Sequence, residues 1–219
     1  VAVTGLGTIN ALGHDVATVW GEIVSARHGI AEVTAVDASM LHAKVAAEVK
    51  GYDPLDHFDE RDLEWLDRYS QFALVAAGQA IADAGIDFQK DDLSEETATI
   101  VASGIGGYTT MDKAYVRLYK DNIPRARPST IPRLMISAAA SQVSMKHGLT
   151  GPTFCVSSAC SSANHAIGEA YWMVRTGRVR AAVTGGAEAT ISLGSQRSWE
   201  SLRVMATDTC RPFSKDRRG

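Results

Sequence analysis

The chain has 219 residues, 45% of them hydrophobic and 21% charged, with a formal net charge of −3. This is the make-up of a globular protein with room for one large domain or two small ones. The slight acidic balance argues against a nucleic-acid surface, and no apolar run approaches the ~20 residues of a membrane-spanning helix.

Residues 1–4 are apolar enough for a buried strand, and Gly5-Leu6-Gly7 turns the chain after it. Residues 14–25 have helical spacing (Val16, Val19, Trp20, Ile23, Val24) behind a capping Asp15. Residues 30–58 read as surface loops with short strand pieces around 43–49. The longest helical pattern runs over 59–84, with Leu63, Leu66, Phe72, Ala76 and Ile81 on its apolar face, and stops at Gly85. A strand is expected at 97–102, followed by the turn Ser103-Gly-Ile-Gly-Gly107. Helix follows over 109–119, then a loop with proline and arginine over 121–132 and a helix over 135–147 ending at Gly148. A strand then leads to Cys160, a helix runs from there to about Arg175, a strand spans 180–185, and a helix covers 194–203. Strands alternating with helices predict an α/β fold around a largely parallel sheet.

Cys160 is the residue that carries chemistry. It lies where strand passes into helix, amid the small residues Ala159, Ser161, Ser162 and Ala163. Unpaired N–H groups and the positive dipole end of a helix favour a thiolate, and a thiolate is a nucleophile. The same position also suits an inert core thiol, because free cysteines are often buried. His165 is a poor base for it, since five residues along a helix turn it by about 140°. Glu188, just past a strand end, serves either an active-site network or a structural hydrogen bond.

Other motifs carry less. The third glycine of a dinucleotide fingerprint is missing after Gly5-Leu6-Gly7, and Ser103–Gly107 lacks the Lys-Ser/Thr pair of a phosphate loop. The three cysteines and six histidines show no metal spacing, so no metal site is predicted. The sparse cysteines fit a reducing, cytoplasmic location. Lys113, Lys120, Arg125, Arg127, Arg133 and Arg203 give a local basic bias, a solvated face unless an acidic partner docks there.

An ordered set of strings goes further: Val3-Thr-Gly-Leu-Gly7, Ser103-Gly-Ile-Gly-Gly107, Gly148-Leu-Thr-Gly-Pro152, Ser157-Ser-Ala-Cys-Ser-Ser-Ala-Asn-His-Ala-Ile167, Thr184-Gly-Gly-Ala-Glu188 and Arg211-Pro-Phe-Ser-Lys-Asp-Arg-Arg-Gly219. Together they resemble the type II elongating β-ketoacyl-[acyl-carrier-protein] synthases, with particular likeness to the nodulation-type subgroup. The resemblance implies a thiolase-like fold of α-β-α-β-α layers and a homodimer. It also implies that Cys160 is the acyl acceptor in decarboxylative condensation with a malonyl-carrier. Substrates would arrive on the phosphopantetheine arm of acyl carrier protein, with no free cofactor. Carried over by position, Ile105, Thr130 and Trp199 border the acyl pocket, and Arg125 and Arg203 dock the carrier. Trp65 stands where a lysine is common.

The family's two catalytic histidines, its lysine and a phenylalanine-bearing glycine loop lie in a second half, and none of the six histidines here matches them. The chain also opens directly in an apolar segment and stops in a charged turn. Residues 1–219 are therefore expected to be the N-terminal half of a longer ketosynthase, inactive alone. Two alternatives stand beside this reading: a biosynthetic thiolase-like acyltransferase, against which the Ala-Cys-Ser-Ser-Ala turn argues, and a non-catalytic chain-length partner subunit, which normally lacks the cysteine.

Overall fold

A computed structural model describes all residues, 1–219. The chain divides into two compact units, residues 1–8 with 53–189, and residues 9–52 with 190–219.

The first unit is built on a three-stranded, fully parallel sheet in the order β4-β3-β5: β3 is Thr97–Ala102, β4 Thr153–Phe154 and β5 Ala181–Gly186. Every residue of β3 is buried, as expected of a central parallel strand covered on both faces. Its alternate side chains serve two cores. Val101 packs with α3 (Arg68–Ala84) and α6 (Ala138–His147) through Leu66, Tyr69, Ala73, Leu74, Ala77, the alanines 138–140 and Val143. Ala98, Ile100 and Ala102 face Ala166, Ala170 and Met173 of α7 (Ser162–Arg175). The result is three layers, helix–sheet–helix. Residues Ala166 and Ala170, one turn apart on α7, keep that helix close to the sheet, so its first turn is held at the sheet's carboxyl edge.

Four sequence expectations are corrected. Residues 1–4 form no strand, and Val1 and Val3 are 64% and 80% exposed. The segment pairs with no strand; instead its glycines press on α3, where a Cβ on Gly7 would stand 1.9 Å from the Ala76 carbonyl oxygen. The N–H groups of Leu6 and Thr8 donate to Asp83 and Gln79, taking the place of a ladder. The helix read over 59–84 is two, α2 (Glu60–Leu63) and α3, because Asp67 is extended and caps Tyr69 with its side chain. The helix read over 135–147 starts only at Ala138, since Met135 is extended and its carbonyl accepts the buried Tyr69 hydroxyl at 2.6 Å. The loop read over 121–132 closes early, with α5 spanning Thr130–Leu134. Between α4 (Tyr108–Tyr115) and that loop lies a five-residue π-helical turn, Val116–Lys120.

The second unit holds α1 (Val16–Val24), capped by Asp15 as read, the antiparallel pair β1 (Ile30–Glu32) and β2 (Val45–Ala47), and α8 (Leu193–Ser201). Glu200 of α8 accepts the N–H groups of His42 and Ala43, tying helix to loop within the unit. No helix is long and apolar enough to cross a membrane.

Candidate active site

Ligands of open parallel sheets gather beyond the carboxyl ends of the strands. Three segments meet that edge here: Ser103–Gly107 after β3, Ser157–Ser161 after β4, and Ala187–Ala189 after β5. Cys160 lies in the second of them.

β4 is short because it pairs only with β3, and the chain leaves the sheet at Cys155. From there side-chain bonds hold the descent into α7. Ser158 N–H donates to Ser162 Oγ at 2.9 Å, and Ser162 Oγ donates to the Ala159 carbonyl at 2.6 Å. Ser161 Oγ donates to the Ser158 carbonyl at 2.8 Å. Small hydroxyls thus supply the turn that bulkier residues would obstruct. Ala159 sits at φ 55°, the left-handed region that costs a non-glycine residue about 1 kcal/mol or more. This strained residue immediately precedes Cys160. Glycine is required where the first turn of α7 meets the end of β5: a Cβ on Gly186 would stand 2.8 Å from the Ala163 Cβ.

Cys160 is exposed and unbridged, so the buried, inert alternative does not describe it. It stands two residues before α7 begins, at the positive end of the helix dipole. Cys155, five residues earlier, is the contrasting thiol: half-buried, donating to the Val156 carbonyl, with burial pushing its pKa up. His165 is committed to Ser158, its Nδ1 lying 2.6 Å from Ser158 Oγ.

Glu188 closes the site from the β5 side. Its Oε2 accepts Gly104 N–H at 2.8 Å and Ile105 N–H at 3.3 Å, and Ser103 Oγ donates to Oε1 at 3.3 Å. Desolvation beneath the loop pushes its carboxyl pKa up, opposed by these donors, although the residue as a whole stays exposed. Sequence reasoning left Glu188 undecided, because its partners lie 83 to 85 residues away.

The other predicted residues fall as follows. Ile105 is 41% exposed in the loop that Glu188 holds. Thr130, half-buried, opens α5 and donates its N–H to the Arg127 carbonyl. Arg125 is exposed in the preceding loop. Trp199, 41% exposed on α8, and exposed Arg203 belong to the second unit. Trp65 is exposed beside α2, lining a surface groove with Phe58, Asp62 and Met145. No group of three or more histidine, cysteine or acidic side chains is placed to hold a metal ion.

Comparison with known proteins agrees with this geometry. The family model for the β-ketoacyl synthase N-terminal domain matches residues 1–219. Nodulation protein E of Rhizobium leguminosarum bv. trifolii is 38% identical over 221 residues, covering all of this chain and 54% of that protein. The counterpart in Rhizobium meliloti (strain 1021) is 39% identical over 219 residues with the same coverage. The 3-oxoacyl-[acyl-carrier-protein] synthase 2 of Staphylococcus aureus (strain N315) is 33% identical over 224 residues, again covering all of this chain and 54% of that protein. The chain therefore spans about half the length of these relatives. Among solved structures, the ishigamide ketosynthase/chain length factor superposes with a TM-score of 0.87 at 24% identity, over 99% of this chain and 54% of that one. A type II polyketide ketosynthase in complex with its acyl-carrier protein gives 0.81 at 23% identity, over 99% and 54%. These likenesses establish the thiolase-like ketosynthase fold.

Proposed function

The chain belongs to the β-ketoacyl synthase family, and from that premise we propose that it is the nucleophile-bearing half of a 3-oxoacyl-[acyl-carrier-protein] synthase. The observation that carries the reading is the exposed Cys160 thiol, held by a strained residue at the start of α7 and at the carboxyl edge of the sheet.

In the first step Cys160 Sγ attacks the thioester carbon of an acyl group on carrier phosphopantetheine. A C–S bond to Cys160 forms, the bond to the phosphopantetheine sulfur breaks, and that sulfur leaves with the proton the cysteine gave up. The Cys160 N–H is one donor for the oxyanion. In the second step a malonyl-carrier loses CO2, and its carbanion attacks the Cys160 thioester carbon. A C–C bond forms, the C–S bond breaks, and the product is a 3-oxoacyl-carrier two carbons longer, with Cys160 released as a thiolate that takes a proton from water to restore the thiol. Decarboxylation is assigned to histidine and lysine side chains outside residues 1–219. Ile105 and Thr130 border the acyl chain, Arg125 meets the acidic carrier, and the enzyme works as a homodimer.

The test uses the full-length protein incubated with acyl-carriers. Peptide mass mapping is expected to find the acyl mass on the peptide bearing Cys160 and to lose it in Cys160→Ala. Acylation elsewhere, or undiminished in that variant, overturns the reading.

A further inference from the structure

We propose that Glu188 is a positioning residue that sets acyl-chain selectivity by clamping the Ser103–Ile105 backbone against the nucleophile junction. The proposal rests on the ketosynthase reading above and adds a specificity role for a side chain outside the reacting atoms.

The geometry is a clamp with three donors and one carboxylate. Gly104 N–H and Ile105 N–H both donate to Oε2, and Ser103 Oγ donates to the carboxylate as well. Ser103 Oγ in turn accepts Gly106 N–H at 2.9 Å, so the loop is fixed through its next turn. On its other side the loop touches the segment bearing the cysteine. Ser157 Oγ donates to the Gly104 carbonyl at 3.4 Å, and a Cβ on Gly104 would stand 3.7 Å from the Ala159 Cα and 3.0 Å from Glu188 Oε2. Gly104 therefore lies between the clamp and the strained residue preceding Cys160. Ile105 follows it with its side chain free of the clamp and 41% exposed.

Nothing in this arrangement requires charge. A glutamine can present its carbonyl oxygen to the two N–H groups and its amide to Ser103 Oγ, which also accepts. The hydrogen bonds are what hold Ile105 at the pocket wall; without them the loop relaxes, while the thiol and its helix stay in place. Long acyl chains, which reach the wall, are then affected and short ones are not.

The test compares wild-type full-length enzyme with Glu188→Gln, Glu188→Ala and Glu188→Met. Cys160 acylation is followed with acyl-carriers of increasing chain length, and iodoacetamide labelling of Cys160 reports the thiol itself. Glutamine is expected to keep the length profile within about threefold, while alanine and methionine lose long-chain acylation at least about tenfold. Short-chain acylation and iodoacetamide labelling are expected to stay within about twofold. The methionine variant fills the side chain's volume and keeps the comparison valid if alanine fails to fold. An unchanged length profile in both alanine and methionine, a uniform loss at all lengths, or a glutamine variant as damaged as alanine overturns the clamp alone. A wild-type enzyme that no acyl-carrier acylates overturns the clamp together with the reading beneath it.

Discussion

Cys155 and Cys160 illustrate how five residues change the chemistry of one functional group. Cys155 has just left β4 and is half-buried, and burial pushes its thiol pKa up. Cys160 has reached solvent at the start of α7. Because alkylation requires the thiolate, Cys155 is expected to label last of the three cysteines at neutral pH. Its rate should climb as pH rises toward its raised pKa; the check is iodoacetamide labelling of the folded protein across pH 7 to 9, resolved by peptide mass. Early labelling of Cys155 at neutral pH contradicts the assignment. From the sequence, the strand-to-helix junction identified Cys160, yet both a reactive and an inert thiol fitted it. Exposure separates them, and exposure depends on Gly186, Ala163 and Ser162 packing the turn, contacts that no local pattern displays.

Among the elements, the periodic ones were legible: β3 was read at its bounds, α1 with its cap and α7 with its end. The two misread helix starts share one cause, a side chain that bonds across the fold. Asp67 interrupts the helix pattern over 59–84 because its buried carboxylate gathers the Tyr69 N–H, the Thr110 N–H at 2.9 Å, and the hydroxyls of Thr109 and Thr110. It joins the start of α3 to the start of α4. Asp67→Ala strands these donors away from water, and a loss of about 2–4 kcal/mol in unfolding free energy is expected, read by denaturant titration. Asp67→Asn keeps one carbonyl acceptor and should cost less. A neutral alanine variant contradicts the network's role. Tyr69 makes the matching break before α6: its buried hydroxyl, pushed up to about 12, stays a neutral donor to the Met135 carbonyl at any physiological pH.

At the scale of the whole molecule, fold class and family were legible because ordered glycine- and serine-rich strings recur along the entire chain. The two-unit division was not, since residues 9–52 rejoin the chain only at 190–219. We expect the 219 residues produced alone to form no 3-oxoacyl product from acyl- and malonyl-carriers, as followed by mass spectrometry of the carrier; any malonyl-dependent condensation contradicts that assignment. The pairing of the sheet has a further consequence, for the order in which the molecule acquires its site. Thr97 pairs with Ala181 and Ala102 with Gly186, so β3 must wait for chain made 84 residues later. Pairings of such sequence separation form slowly and leave apolar surface open meanwhile. During synthesis the cysteine emerges before β5, the strand whose end packs against its helix. Its reactivity is thus acquired only once β5 has docked.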